Sequence, residues 1–174
     1  MSRQRNPAAR RGHAPLKVAA DGMAQIPENF VAGSCFIRRD PKRVTPVRLP
    51  DYLEVAGNLS ISDPTFVALP QSLAVHGDLV ARGTQIKALP PDLGVRGRID
   101  LSDTLVDQIP NGFIAVNSLI LRRCHNLSEL PEKLEVRGAL SLVGTRVSGP
   151  TFLREMHDYW FRPRETPSSD KPTG

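Results

Sequence analysis

An apolar residue followed by proline recurs along this chain at a nearly constant interval. The dipeptides are Ile26-Pro27, Leu49-Pro50, Leu69-Pro70, Leu89-Pro90, Ile109-Pro110 and Leu130-Pro131. From Leu49 to Ile109, each dipeptide follows the previous one by 20 residues. A fixed period of this length predicts a solenoid, in which each repeat forms one coil and buries its apolar edge against its neighbours.

Each repeat follows one template, Leu-Pro-x-x-Leu-x-Val-x-Gly-x-Leu-x-Leu-x-x-Thr-x-Ile-x-x-Leu-Pro, which residues 71–90 and 91–110 match closely. Apolar residues alternate from Leu73 to Ala81, and this period of two predicts a strand with one buried face. The recurrent glycine is expected where a side chain would crowd the stack. Proline fixes φ and removes a donor, so the Leu-Pro half is expected to return as an extended segment.

The template predicts a parallel sheet, because equivalent strands of successive coils pair with each other. We expect about seven coils over residues 16–150, including a partial first coil. The period slips twice: coil 28–50 gains about three residues before Leu49, and coil 111–131 gains one near Cys124. Arg38 falls at a nominally inward position, which predicts an irregular first coil.

One coil carries a family pattern most clearly. It reads Leu119-Ile120-Leu121-Arg122-Arg123-Cys124, followed by Asn126-Leu127 and Leu130-Pro131. This resembles the leucine-rich repeat, and the 20-residue length is similar to the short repeats of bacterial type III effectors. The resemblance covers about 16–150 and implies a β-rich solenoid with a parallel sheet on one face and return segments on the other. Thr, Pro or Cys replaces the usual Asn, so a different parallel β-solenoid is the structural alternative.

The two ends of the chain differ from the repeats in composition. Residues 1–15 hold four arginines and no acidic residue, and we expect them to form a disordered basic tail, as we expect disorder in the Pro- and Ser-rich 162–174. The net charge of +5 therefore resides in the tails. Residues 151–161 place their apolar side chains at helical spacing after Thr151, which predicts a short capping helix over the last coil. A partner-binding aromatic patch is the alternative.

The outward residues of the strands provide the candidate binding surface. They combine arginines with acidic and apolar residues, a composition that interfaces favour. The candidate partner-binding residues are His76, Asp78, Arg82, Arg96, Arg98, Asp100, Arg122 and Arg137. The alternative is a solvated face with cross-strand ion pairs, such as Asp100 with Arg82 or Arg98.

No sequence pattern indicates catalysis. The chain has no Gly-rich phosphate loop, no metal-ligand spacing and no nucleophile elbow, so we expect no enzyme activity, cofactor or metal. Cys35 and Cys124 fall several coils apart and are expected to be reduced, packed thiols. We expect no secretory signal and no membrane span, because long apolar runs are absent from the sequence.

These features predict a non-enzymatic module that binds another protein through the outward face of the repeat sheet, and the resemblance adds a bacterial effector as one form of it. The alternative is a nucleic-acid-associated protein that uses residues 1–15, whose binding would depend steeply on salt. The expected location is cytoplasmic, or inside a host cell after secretion that needs no signal peptide.

Overall fold

A computed structural model describes residues 17–18, 22–25, 33–42 and 45–147 of the chain. It is a parallel β-solenoid of about five turns, which confirms the predicted fold class. The strands of the described part are β1 (Lys17–Val18), β2 (Ala24–Gln25), β3 (Cys35–Arg38), β4 (Tyr52–Val55), β5 (Leu59–Ser62), β6 (Ser72–Val75), β7 (Leu79–Val80), β8 (Asp92–Val95), β9 (Ile99–Asp100), β10 (Phe113–Ala115), β11 (Leu119–Ile120), β12 (Leu134–Val136) and β13 (Leu140–Ser141).

Each regular coil contributes two short strands to two separate sheets. The long sheet stacks β3, β5, β7, β9, β11 and β13 in sequence order, and all its neighbours are parallel. The short sheet stacks β4, β6 and β8, and β10 pairs with β12 as a separate parallel pair. The continuous strand expected from Leu73 to Ala81 is therefore wrong, because the chain turns at Gly77 between β6 and β7.

The pairing register follows the sequence period. Leu59 pairs with Leu79, Leu79 with Ile99 and Ile99 with Leu119, each 20 residues on. The next step is 21 residues, from Leu119 to Leu140, and the first is 24, from Cys35 to Leu59. Both lengthened coils lie where the sequence predicts them.

The first coil is one residue longer than the template alignment predicts. That difference moves Cys35 and Ile37 to the inward positions, where they are buried. Arg38 is consequently exposed, so its predicted inward placement is wrong. The shift removes an uncompensated charge from the core.

The core is a column of inward side chains that runs through all the described coils. Leu73, Val75, Leu79, Ala81 and Ile86 are each at most 1% exposed, as the alternating template predicts. Complete burial of such a side chain contributes about 1.5–3 kcal/mol. The stacking of coils therefore supplies the stability that a single coil of this size lacks.

Hydroxyl and thiol groups replace asparagine at the turn that leaves the long sheet. Thr84, Thr104 and Thr145 each donate a hydrogen bond from Oγ1 to the carbonyl oxygen three residues earlier, at 2.7–2.9 Å. Cys124 Sγ lies 3.1 Å from the Leu101 carbonyl oxygen and 3.3 Å from Thr104 Oγ1. The buried polar atoms of this column are therefore satisfied locally.

The extra residue of the later slip lies between Cys124 and Leu127. Leu127 follows Cys124 by three residues, whereas the equivalent Val106 follows Thr104 by two. Asn126 Nδ2 donates a hydrogen bond to the Leu105 carbonyl oxygen at 3.3 Å. The side chain thus binds the preceding coil where the backbone bulges.

The segment before the regular coils pairs both with itself and with the next coil. β1 and β2 pair antiparallel, and Met23 forms a parallel bridge with Arg48 of the following coil. The predicted capping helix 151–161 and the tails 1–15 and 162–174 lie outside the described residues. In the part of the chain that the structure describes, no helix has the length and apolar character that crossing a bilayer requires.

The glycine column at the turn between the sheets provides a test of the stacking. A Cβ atom on Gly77 would lie 2.1 Å from Asn58 Oδ1 and 2.8 Å from the backbone carbon of Gly57. We expect Gly77→Ala to lower the free energy of unfolding by about 1–3 kcal/mol in urea titrations, because the coils must separate to admit the methyl group.

Gly94→Ala is the matched control for this substitution. A Cβ atom on Gly94 meets nothing closer than the Leu73 carbonyl oxygen at 4.0 Å. The free energy of unfolding of the Gly94→Ala variant should equal that of the wild type or exceed it by up to about 1 kcal/mol. Equal losses in the two variants would contradict the crowding argument.

Candidate functional site

The division into two sheets separates the eight predicted binding residues into three groups. Asp100 lies on a strand of the long sheet, and Arg82 and Arg122 lie two residues after strands of that sheet. His76 and Arg96 directly follow strands of the short sheet, Arg137 directly follows β12 of the separate β10–β12 pair, and Asp78 and Arg98 lie in the turns between the sheets. The residues therefore do not form the single grid that one continuous strand would give.

Asp100 lies on the long sheet with a fully buried side chain, although the sequence places it on the outward, exposed face. Its Oδ2 contacts Arg82 Nη2, and its Oδ1 accepts hydrogen bonds from Ser102 Oγ at 2.8 Å and from Ser102 N at 3.2 Å. Burial raises the pKa of the Asp100 carboxyl group, but the bonds from Arg82 and Ser102 outweigh it and hold the pKa below its usual value. Asp100 is therefore a structural anion and not a free surface charge.

The two arginines of the long sheet also bind neighbouring coils. Arg82 pairs with Asp100 one coil on, which confirms that member of the predicted ion-pair alternative. Arg122 Nε donates a hydrogen bond to Ser141 Oγ at 3.0 Å. No ion pair between Arg98 and Asp100 occurs among the described residues. The polar side chains on this sheet therefore join coils to each other.

Asp78 belongs to a ladder of short polar side chains along the turn between the sheets. Asn58 Oδ1 accepts the Asp78 N–H at 2.8 Å, and Asp78 Oδ1 accepts the Arg98 N–H at 2.8 Å. Ser118 Oγ repeats the arrangement with the Ala139 N–H at 3.1 Å. Sequence reasoning missed this role, and the signal that could have found it is a short polar residue directly after the glycine column.

His76 binds a carboxylate on the short sheet, and Arg137 binds one on the separate β10–β12 pair. His76 Nε2 lies 2.8 Å from Glu54 Oε1, and the Tyr52 hydroxyl donates to Glu54 Oε2 at 3.4 Å. The hydrogen bond with His76 is the main reason that the pKa of the Glu54 carboxyl group is lowered. Arg137 Nε donates to Glu135 Oε1 at 2.8 Å. These pairs neutralise much of the charge that the sequence assigns to the surface.

Arg96 and Arg98 are the exception among the predicted residues. Within the described part of the chain, neither guanidinium group makes a hydrogen bond or an ion pair. In the next coil, Ile114 is 47% and Val116 is 48% exposed. We call these four residues the corner patch. It combines two exposed β-branched side chains with two cations that make no hydrogen bond or ion pair within the described residues, although the charge of Arg96 helps to lower the pKa of the Glu54 carboxyl group.

The corner patch lies where the short sheet is interrupted. β8 and β10 do not pair within the described residues, although β9 and β11 pair in the same two coils. The inward residues Leu93 and Phe113 remain buried, so the core continues across the break. Arg96 and Val116 occupy equivalent positions in these two coils, which are joined by the pairing of β9 with β11.

An ion pair at the outer turn of the long sheet was not predicted from the sequence. Arg123 Nε and Nη2 bind the two carboxylate oxygens of Asp103 at 2.5 and 2.6 Å. Both residues have positive φ, 60° for Asp103 and 56° for Arg123, in a column that elsewhere holds Gly83 and Gly144. Side chains disfavour this conformation by about 1–2 kcal/mol per residue, and the bidentate pair offsets part of that cost.

The described residues lack a cluster of side chains that could hold a metal ion. Among them, no group of three or more His, Cys, Asp or Glu side chains is placed to hold a metal ion. Comparison of the chain with protein-family models, curated proteins and solved structures gave no match. Arguments about function therefore rest on the surface that the solenoid presents.

The Asp100 network should carry stability that depends on pH. We expect Asp100→Asn to lower the free energy of unfolding by about 1–3 kcal/mol at neutral pH, because bonds to a buried charge are lost. A lowered folded-state pKa stabilises the protein above the unfolded-state value of about 3.9, and this contribution disappears as the pH falls through the folded-state pKa.

Urea titrations of the wild type and Asp100→Asn across pH would measure this effect. The difference between them should stay constant from about pH 7 to pH 5 and shrink below about pH 4. Asp103→Asn is the control, because the Asp103 carboxylate is exposed to solvent, where an ion pair contributes little to stability. A difference that grows toward low pH would contradict the assignment.

The two cysteines should be inert in the folded protein. Both are free and buried, and burial raises the pKa of the Cys35 thiol to about 11. We expect iodoacetamide at pH 8 to modify neither thiol in the native chain and both in urea, because the thiolate is the reactive form. Native modification of Cys35 at the rate of a free thiol would show that the first coil opens readily.

Proposed function

We propose that this chain is a non-enzymatic interaction module, built on leucine-rich-repeat-like coils, that binds an acidic segment of a partner protein at the corner patch. The observation that carries the proposal is that two exposed arginines make no hydrogen bond or ion pair among the described residues and precede two exposed β-branched residues by one coil. The other predicted charges are held at hydrogen-bond distance by partners within the solenoid, whereas Arg96 acts on the Glu54 carboxylate only through the attraction of their charges.

Charge complementarity supports an acidic partner. A guanidinium group binds a carboxylate through two parallel hydrogen bonds, and such charge-assisted bonds are about twice as strong as neutral ones. Arg96 and Arg98 are separated by one residue, and neither guanidinium group forms such a bond with a carboxylate among the described residues. Carboxylates spaced along one partner segment could therefore engage both.

Ile114 and Val116 supply the apolar part of the contact. Exposed apolar side chains are ordinary when they are scattered, but here two lie in the coil next to the unpartnered arginines. Arginine enrichment with an apolar centre is the composition that distinguishes interface cores. β-branched side chains have few rotamers, so they lose little entropy on binding.

The remaining predicted residues have supporting roles in this proposal. Arg137 and His76 lie at the rim of the proposed contact, and each binds a glutamate carboxylate, Glu135 and Glu54 respectively. Asp78 and Asp100 hold adjacent coils together and act through the scaffold. Arg82 and Arg122 lie on the long-sheet side of the solenoid, and each binds a side chain of the next coil there.

A peptide selection on the intact chain would test the proposal. Peptides selected from a random display library against the wild type should be enriched in Asp and Glu together with apolar residues. Arg98→Glu should weaken the selected peptides at least tenfold, which is about 1.4 kcal/mol. It should leave the unfolding midpoint nearly unchanged, because the exposed Arg98 guanidinium group makes no hydrogen bond or ion pair among the described residues.

Lys87→Glu is the matched control, since it makes the same charge change at an exposed residue on the return side. Equal weakening by Lys87→Glu and Arg98→Glu would show a general charge effect and remove the corner patch from the function. Steeply salt-dependent DNA or RNA binding that disappears on deletion of residues 1–15 would instead support the nucleic-acid alternative.

A further inference from the structure

One junction between coils lacks a backbone bond that the regular junctions have at the turn between the sheets. At a regular junction, the His76 N–H donates to the Val55 carbonyl oxygen at 2.9 Å. The Val116 amide group has the equivalent position after β10, and among the described residues it makes no such bond to the preceding coil. The missing bond coincides with the absence of pairing between β8 and β10. Coils 91–110 and 111–131 are therefore not joined by the backbone at this corner.

Asn117 explains the missing bond, because it occupies a place in the glycine column. A Cβ atom on Gly97 would lie 2.6 Å from the Gly77 carbonyl oxygen, and one on Gly138 would lie 2.7 Å from the carbonyl carbon of Asn117. Non-bonded carbon contacts are longer, about 3.5–4.0 Å. Asn117 carries a Cβ atom, so its coil cannot approach Gly97 as closely as the other coils approach each other. The Gly97 N–H donates to the Gly77 carbonyl oxygen at 3.0 Å, but the Asn117 N–H makes no equivalent bond among the described residues.

The ladder of short polar side chains stops at the same junction. Asp78 Oδ1 accepts the Arg98 N–H, but the guanidinium group of Arg98 carries donors only and cannot accept a bond from the following coil. The Ser118 N–H is bound instead by Oδ1 of the preceding residue, Asn117, at 2.8 Å. Both the backbone bonds and the side-chain bond of the turn are therefore missing between the same two coils.

The opposite edge of this junction is well joined. β9 pairs with β11, and the Leu101 N–H donates to the Ile120 carbonyl oxygen at 2.9 Å. At the outer turn, Arg123 binds both carboxylate oxygens of Asp103 across the same two coils. The junction is therefore held along the long sheet and lacks these links at the corner.

We infer that the junction between coils 91–110 and 111–131 is a hinge, which the Cβ atom of Asn117 keeps open at the corner and the long sheet holds closed at the outer turn. Packed elements move as rigid bodies, and local opening occurs where the fewest bonds must break. Every other link described above joins coils that pair along both sheets or lie on the closed edge of this junction.

The hinge passes through the corner patch. Arg96 and Arg98 lie on one side of it, and Ile114 and Val116 lie on the other. A change in the hinge angle therefore alters the distance between the charged half and the apolar half of the patch. Asn117, which sequence reasoning did not single out, is a positioning residue for that surface.

Hydrogen exchange of single amides in the free protein, followed by NMR, would test the hinge. Ile99 and Leu79 have equivalent amides at the corner end of the long sheet, and these donate to the next coil at 2.8 and 2.9 Å. After correction for intrinsic rates, Ile99 should exchange at least about tenfold faster than Leu79, because opening of the corner breaks its bond first. The equivalent amides of Asp103 and Gly83, at the outer turn, should exchange at similar rates.

Two substitutions at Asn117 separate the effect of the Cβ atom from that of the carboxamide group. Asn117→Gly removes the Cβ atom, so the corner should close and the Ile99 rate should fall to within about threefold of the Leu79 rate. Asn117→Ala is the matched control, since it keeps the Cβ atom, and the Ile99 rate should stay at the wild-type value. If loss of the bond to Ser118 unfolds Asn117→Gly, the double variant Asn117→Gly/Arg98→Asn restores a side-chain acceptor and should slow Ile99 in the same way.

Three results would overturn the inference. The first is equal exchange of Ile99 and Leu79 in the wild type, and the second is equal slowing of Ile99 by Asn117→Gly and Asn117→Ala. The third is acceleration of Asp103 to the same extent as Ile99, because the two coils would then separate as a whole. All these measurements use the free protein, so their failure and the failure of the proposed function are distinguishable.

Discussion

The close approach of successive coils at the glycine column is the constraint on which the structure depends. Gly57, Gly77 and Gly97 stack with no room for a Cβ atom, since one on Gly97 would lie 2.6 Å from the Gly77 carbonyl oxygen. The same approach brings Asn58 and Asp78 within hydrogen-bond distance of the next coil's amide groups. The turn between the sheets is thus held by backbone contact and by side-chain bonds.

The scaffold uses most of its polar side chains for its own stability. Asp100 accepts bonds from two residues in a fully buried position, and a buried charge of this kind is tolerated only when it is fully paired. Asp103 and Arg123 pair across coils in a backbone conformation that favours glycine. The unpartnered arginines of the corner patch differ from these residues, and this difference gives the proposed function its location.

The sequence predicted the solenoid, its parallel pairing, its 20-residue register and the inward residues of the regular coils. Those features depend on period and alternation, which are local properties of the chain. The sequence also placed both slips, but it set the first coil one residue out of register, because Cys35 and Ile37 compete with Phe36 and Arg38 for the inward positions. Only packing against the next coil distinguishes these alternatives.

The sequence could predict which residues of the candidate surface point outward, but it could not predict how those residues are arranged relative to one another. The alternation of apolar and polar residues shows which side chains point into the core and which point out of it. For that reason the sequence by itself determined the coil and its inward face. The tertiary structure decided that the strand breaks at Gly77 and that the Asp100 side chain is covered. It also decided that Arg96 and Arg98 make no hydrogen bond or ion pair with the other described residues. These outcomes depend on contacts between residues about 20 positions apart, whose geometry exists only once the coils stack.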